Sequence, residues 1–249
     1  MSLEKSRKDS NKIIKGIDKV GDKVKSQSTR LYNKAIDEVI KQNNKKPPFT
    51  ANSIVARRID NDLKKILNST GKSYDDFIKA QEKFLSQNFS IDLTKKELET
   101  LVKKKSDLLD ELVTNTGILK EDVKAIIFAN LGKGVPQAEL TRLLRELYPA
   151  YARNAGTIIN TGLGRTYIDT NIAKFRETDF KWYFWAGPDD SVTREIPCRH
   201  WVNHKFPASQ LNILSSTRLS LWNCRHSIIP LTNEEAENIP TGDISFANR

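Results

Sequence analysis

The chain has 249 residues, 38% of them hydrophobic and 29% charged, with 41 Lys+Arg against 31 Asp+Glu. That length holds one large domain or two small ones. No run approaches the ~18 apolar residues that a bilayer span needs, and the N-terminal MSLEKSRKDSNKIIK carries charge with no apolar stretch behind it, so a soluble protein without a signal peptide is expected. Two cysteines in so long a chain exclude a disulfide-dense secreted scaffold.

The charge is uneven: residues 1–46 hold 13 Lys/Arg and 6 Asp/Glu, which places +7 of the net +10 there. In this stretch Ile13, Ile17, Val20 and Val24 recur at helical spacing. Leu31, Ala35, Ile36, Val39 and Ile40 resume the pattern, and Pro47-Pro48 stops it. Residues 1–47 therefore read as a basic helical arm that separates from the rest. Its candidate binding residues are Lys12, Lys15, Lys19, Lys23 and Lys25. Such lysines meet DNA phosphates without sequence preference, or an acidic protein surface, or simply keep an amphipathic helix soluble. No aromatics are interleaved with them, which argues against a groove that stacks single-stranded bases.

Residues 48–178 read as a helical domain. A helix over 53–68 carries Ile54, Ile59, Leu63, Ile66 and Leu67 and is expected to close at Gly71, after which Ser73 caps a helix burying Phe77, Ile78, Phe84 and Leu85. Thr94-Lys95-Lys96-Glu97 is a capping box. It opens a helix with Leu98, Leu101, Val102, Leu108, Leu109, Leu112 and Val113, expected to end at Gly117. Val123, Ile126, Ile127 and Leu131 define another before Gly132 and Gly134. Pro136 opens a helix with Leu140, Leu143, Leu144 and Leu147. Residues 151–175 keep helical spacing, although Gly156, Gly162 and Gly164 each weaken it by up to ~1 kcal/mol.

At about residue 179 the texture changes. Phe180, Trp182, Tyr183, Phe184 and Trp185, followed by Gly187-Pro188-Asp189-Asp190, read as a strand and turn, and Ser227-Ile228-Ile229-Pro230-Leu231 as a strand able to pair with the first. Residues 207–220 read as a loop or short helix. This gives a small α+β module over 179–232 and a mildly acidic tail over 233–249 without a strong apolar pattern. The fold class is mainly α, a helical body with a small C-terminal α+β module.

Both cysteines and all three histidines fall between residues 198 and 226. They include two Cys-x-His pairs, Cys198 with His200 and Cys224 with His226, and His204 lies between them. On an extended segment, residues i and i+2 face the same way, so each pair offers one thiolate and one imidazole to a shared tetrahedral ion. Cys198, His200, Cys224 and His226 are thus candidate ligands of a structural zinc. The one-residue spacing is not that of the familiar zinc modules, and a Cys198–Cys224 disulfide or a pair of buried free thiols accounts for the cysteines equally well. Asp189, Asp190 and Glu195 are nearby carboxylates, but nothing orders them as a base, and neither cysteine sits in a nucleophile signature. No catalytic residue is assigned, and the chain is read as a non-enzyme. Gly132-Lys133-Gly134 lacks phosphate-loop spacing. Arg57-Arg58 and Lys103-Lys104-Lys105 are explained as well by helix solvation as by phosphate contact.

Taken in order, Trp185, Asp190, Thr193-Arg194, Cys198, Phe206, Pro207, Asn223-Cys224-Arg225-His226 and Pro230 resemble the C-terminal motif of phage minor head proteins, the head-morphogenesis family named after the F protein of phage Mu. Two departures are informative. Leu221-Trp222 stands where the family has His-Pro, and His226 where it has a last Cys, so the metal or thiol set changes in identity but not in kind. Upstream, 155–174 is similar to the family's helix with an Ala-Arg-Thr-Glu segment, of which Asn160-Thr161-Gly162 keeps only the Thr and loses the carboxylate. The resemblance covers the last third of the chain. It implies a minor structural protein of a tailed-phage head, incorporated during procapsid assembly in the host cytoplasm and located in the head interior or at the portal vertex. Its implied partners are the portal protein, capsid or scaffold proteins and packaged DNA, with no membrane. The rival reading is a virion-carried metal-dependent enzyme, a nuclease or effector domain; the missing base favours the structural one.

Overall fold

The computed structural model describes residues 2–43, 45–131, 133–191, 193–221 and 224–248. Gly132, Trp222 and Asn223, which the sequence reading used, lie outside the described residues. As the periodicity predicts, the chain is mainly α: four long helices, α1 (Leu3–Gln42), α2 (Pro48–Phe89), α3 (Lys95–Asn130) and α4 (Gln137–Phe175), precede a small three-stranded sheet with short helices.

Helix ends have local causes. Pro48 opens α2 at a first-turn position, where its missing N–H costs nothing. The capping box before α3 is formed on both sides, Glu97 N donating to Thr94 Oγ1 at 3.3 Å and Thr94 N to Glu97 Oε2 at 2.7 Å. After α3 the chain turns through Gly134 at a φ of +71°, a conformation that favours glycine.

Two expected ends are not ends. α2 runs through Gly71 and α3 through Gly117. A helical glycine costs only about 1 kcal/mol, and the apolar face continues across each: Ile66 and Tyr74 are buried around the first, Leu112 and Leu119 around the second. α4 likewise continues through Pro149 and all three of its weak glycines. Gly156 has a packing reason, since a Cβ there would lie 3.3 Å from the Gly21 carbonyl of α1.

By compactness the chain forms two units, and every long helix contributes to both. The all-helical unit comprises 19–74 and 105–159. Val39, Ile59, Ile127, Leu140 and Ile159 are buried in it, Tyr32 packs against Tyr148 and Tyr151 with ring centroids 6.2 Å apart, and Lys120 pairs with Asp60 at 2.8 Å. The sheet-bearing unit comprises 1–18, 75–104 and 160–249. The stretch read as a separable arm is therefore a packed helix: Ile13, Ile14 and Ile17 are buried in one unit, Val24, Leu31, Tyr32 and Val39 in the other.

In the sheet-bearing unit β1 (Trp182–Ala186) is central, with β2 (Lys205–Pro207) and β3 (Ser227–Leu231) antiparallel on either side, so that Tyr183 faces both Phe206 and Pro230. Pro230 is accommodated because β3 is an edge strand. The pairing of β1 with β3 follows the sequence reading. β2 does not, because three residues are too few to show alternation. α5 (Leu211–Ser220) fills the stretch read as loop or short helix, and α6 (Asn233–Glu237) opens with a capping box of Thr232 and Glu235. The acidic tail is folded onto β2. Lys205 N donates to Pro240 O and Gly242 N to Lys205 O, both at 2.9 Å, and a Cβ on Gly242 would fall 2.1 Å from the Phe206 ring. A buried hydroxyl chain ties the sheet to the helices: Tyr167 donates to Ser10 Oγ at 3.0 Å, and the Ser10 and Ser227 hydroxyls are hydrogen-bonded at 2.7 Å.

Candidate metal centre

The centre is built around Trp185, a fully buried residue of β1. Its ring meets Trp201 edge to face at 4.9 Å and lies nearly parallel to that of His226 at 6.0 Å. Its backbone is also paired, its N–H donating to His204 O at 3.0 Å and its carbonyl accepting from Asn203 N at 3.1 Å. Thus β1 fixes the loop that carries Cys198 as well as the ring beside Cys224.

A second support is the turn after β1. Thr193 Oγ1 donates to Pro188 O and accepts from Asp190 N, both at 3.0 Å, which closes the turn. The Asp190 carboxylate accepts two bonds from the Arg225 guanidinium, at 2.9 and 2.6 Å, a fork that fixes both position and plane. Arg199 pairs with Asp189 and Glu195. Gly187 gives the His226 ring its seat: a Cβ there would lie 2.3 Å from the ring. From α5 the buried Arg218 donates to the carbonyls of His226 and Cys224, each at 2.6 Å, and so holds the backbone of the segment entering β3.

These supports bring three side chains together. Cys198 Sγ and Cys224 Sγ are 3.9 Å apart, Cys224 Sγ and His226 Nδ1 are 3.6 Å apart, and the three potential ligand atoms all lie within 4.8 Å of one another. Zinc bonds of about 2.3 Å to sulfur and about 2.0–2.1 Å to nitrogen imply tetrahedral edges of about 3.8 Å between sulfurs and about 3.5 Å from sulfur to nitrogen. The sulfur–sulfur and sulfur–nitrogen separations match those edges. His226 Nε2 lies 2.9 Å from Pro188 O, a contact in which Nε2 donates, so Nδ1 is the ring nitrogen that faces Cys224. A backbone carbonyl holding the far ring nitrogen is the usual support of a metal-ligating histidine. The group could hold a metal ion.

Both cysteines are free thiols in this arrangement. They differ in acidity. The hydrogen bond between them, with burial, pushes the Cys198 thiol up. The same bond, aided by the Arg218 charge and by His226, holds Cys224 well below the ordinary thiol value against the opposing effect of burial. Cys224 is the first of the pair to become a thiolate, the form that binds metal.

The predicted four-ligand set contracts to three. His200 is exposed, its ring stacked flat on Phe246 at 4.1 Å. The cause is local: Cys198 lies within the helical turn Glu195–Arg199 and His200 continues in helical conformation, so residues i and i+2 diverge where an extended segment would align them. His204 Nδ1 is taken up by Val202 O at 2.9 Å. Sequence reasoning missed Gly187 and Arg218. The first has a weak signal in the Gly-Pro-Asp turn; the second has none, because its role depends on how α5 meets β3.

The lysines of α1 are not among the residues that form this centre. At 3.6 residues per turn, Lys12, Lys15, Lys19 and Lys23 share one face, within an arc of about 80°, and Lys25 lies on another. All five are exposed. Lys5, Lys8 and Arg30, also exposed, extend the same stripe. Among the described residues, no helix is long and apolar enough to cross a membrane. No family model, curated protein or solved structure matches the chain.

Proposed function

We propose that the chain is a minor structural protein of a tailed-phage head, incorporated as the procapsid assembles and associated with the portal vertex, with Cys198, Cys224 and His226 clamped by a structural zinc. One observation carries the reading: the residues in which the chain resembles the head-morphogenesis motif depend on one another in a single module. Trp185 packs on His226, Asp190 anchors both Thr193 and Arg225, Cys198 meets Cys224, and Phe206 receives the tail. A motif whose members support each other is a folding unit, which suits an assembly protein. Mixed thiolate and imidazole donors at tetrahedral spacing select zinc over harder cations. Three protein ligands leave one coordination position, the count found in catalytic zinc sites. Turnover, however, needs a base, and Asp189, Asp190 and Glu195 are each engaged by arginine. The lysine stripe of α1 supplies a surface for packaged DNA or for an acidic face of the portal, capsid or scaffold proteins.

Mass analysis of purified procapsids and virions tests the assignment. The chain is expected in both at a few copies per particle, and its absence from both overturns the reading. Elemental analysis of the purified chain is expected to give about one zinc per chain, with both thiols becoming reactive after chelation.

A further inference from the structure

We infer that Cys198 and Cys224 form a two-state pair: with His226 they hold the ion when reduced, and after two-electron oxidation by a peroxide they bond to each other and release it. The inference rests on the metal reading above and adds a second state to the same site.

Geometry carries it. The two sulfurs, 26 positions apart in sequence, stand 3.9 Å from each other with no side chain between them. Neither cysteine lies in a sheet ladder. Cys198 lies in a five-residue turn that contains the non-helical Ile196, and Cys224 lies in the irregular segment before β3, so the last approach to bonding distance needs no strand to break. A zinc between the sulfurs and a bond between them are exclusive, because each state uses the same two atoms. Of the two residues Cys224 is the less deeply buried, Cys198 being 1% exposed, and oxidation starts there.

The step balances. The Cys224 thiolate attacks one peroxide oxygen, the O–O bond breaks, and the departing hydroxide takes a solvent proton to become water. The Cys198 thiolate then attacks the Cys224 sulfur. The S–S bond forms, the S–O bond breaks, and a second hydroxide leaves as water with another solvent proton. Peroxide gains two electrons and the pair loses two. With both thiolates consumed, His226 alone is too weak a ligand set, and the ion departs.

The test titrates the full-length, zinc-loaded chain with hydrogen peroxide. A chromogenic chelator reads released zinc, and intact mass reads the cysteines. Zinc release is expected in step with a chain about 2 Da lighter than the reduced apo form, both reversed by dithiothreitol and added zinc. His226→Asn keeps the two sulfurs and is expected to bind zinc weakly yet still form the bond. Cys198→Ser is expected to gain oxygen at Cys224 instead. Near-ultraviolet circular dichroism, to which the buried Trp185 and Trp201 contribute, checks that each variant is folded. Zinc lost with oxygen adducts and no S–S bond overturns the inference and leaves the metal reading intact, as does zinc retained under excess peroxide. A chain that takes up no zinc overturns both.

Discussion

In the all-helical unit, stabilisation is spread along stripes of aliphatic residues, with Val39, Ile127, Leu140 and Ile159 each fully buried and each contributing a share. Around the sheet of the other unit it is concentrated. A handful of aromatic rings, two thiols, one histidine and a buried arginine hold a three-stranded sheet whose longest strand has five residues. The difference follows from size. Helical segments of several turns bury enough surface to need no special chemistry, whereas strands of three to five residues do not. One unit should therefore yield gradually to substitution, and the other should fail at particular atoms.

The largest effect is expected from deleting residues 1–47. At about 1.5–3 kcal/mol for each large aliphatic side chain, the buried stripe of α1 exceeds the ~5–15 kcal/mol that separates a folded domain from its unfolded chain. Residues 48–249 are expected to melt without a cooperative transition by circular dichroism. A sharp transition would make α1 an appendage to both units. Next comes Trp185→Ala, with a loss of about 3–5 kcal/mol, against about 0.5–1.5 kcal/mol for Ile127→Val in the all-helical unit. Denaturant titration of both variants measures the contrast, and equal losses would remove it.

Arg218→Met sharpens the comparison further. The guanidinium satisfies two carbonyls of the segment that carries Cys224 and His226, and each acceptor left unsatisfied in the interior costs about 1–3 kcal/mol. Zinc affinity is expected to fall about 10- to 100-fold, the usual penalty for losing an outer support of a metal site. Competition with a chelator of known affinity reads this directly. Unchanged affinity would mean that the strand, and not the arginine, positions the ligands.

The two units were also unequally legible in the sequence. Long amphipathic stripes announce themselves, so the helical class, the start of α3 and the turn before α4 follow from periodicity, the Thr94/Glu97 box and Pro136. Gly71 and Gly117 mislead because a glycine's local cost is smaller than the packing on either side of it, which only tertiary contacts reveal. In the sheet-bearing unit the dense aromatic run marks β1, and the clustering of cysteines and histidines marks the candidate metal centre. The ligand count is not legible, because it depends on whether the backbone after Cys198 is extended or helical, and His200 is lost to that difference. Arg218 and the fold-back of the tail onto Phe206 come from contacts distant in sequence and leave no pattern to read.

The smallest effect tests the boundary of α3, where stabilisation is local and electrostatic. Burial raises the Glu97 carboxyl, but the hydrogen bonds from Thr94 and the ion pair with Lys174 at 3.1 Å outweigh it and hold the group below its ordinary value of 4.5. The sign follows from linkage. A depressed pKa means that folding favours the ionised form, so the contribution is fully present above 4.5 and is lost as pH falls through the lower, folded-state value. Thr94→Ala removes the cap oxygen and is expected to cost about 1 kcal/mol at neutral pH. Glu97→Gln keeps hydrogen-bonding capacity and removes only the charge. It is expected to cost less at neutral pH, and its deficit relative to the parent should shrink as the parent's own carboxyl becomes protonated. Stability measured by denaturant titration from pH 7 to pH 3 separates the two variants: the Thr94 deficit retains a pH-independent part, whereas the Glu97 deficit fades. A Glu97 deficit that stays constant down to pH 3 would assign the whole effect to packing and none to the charge.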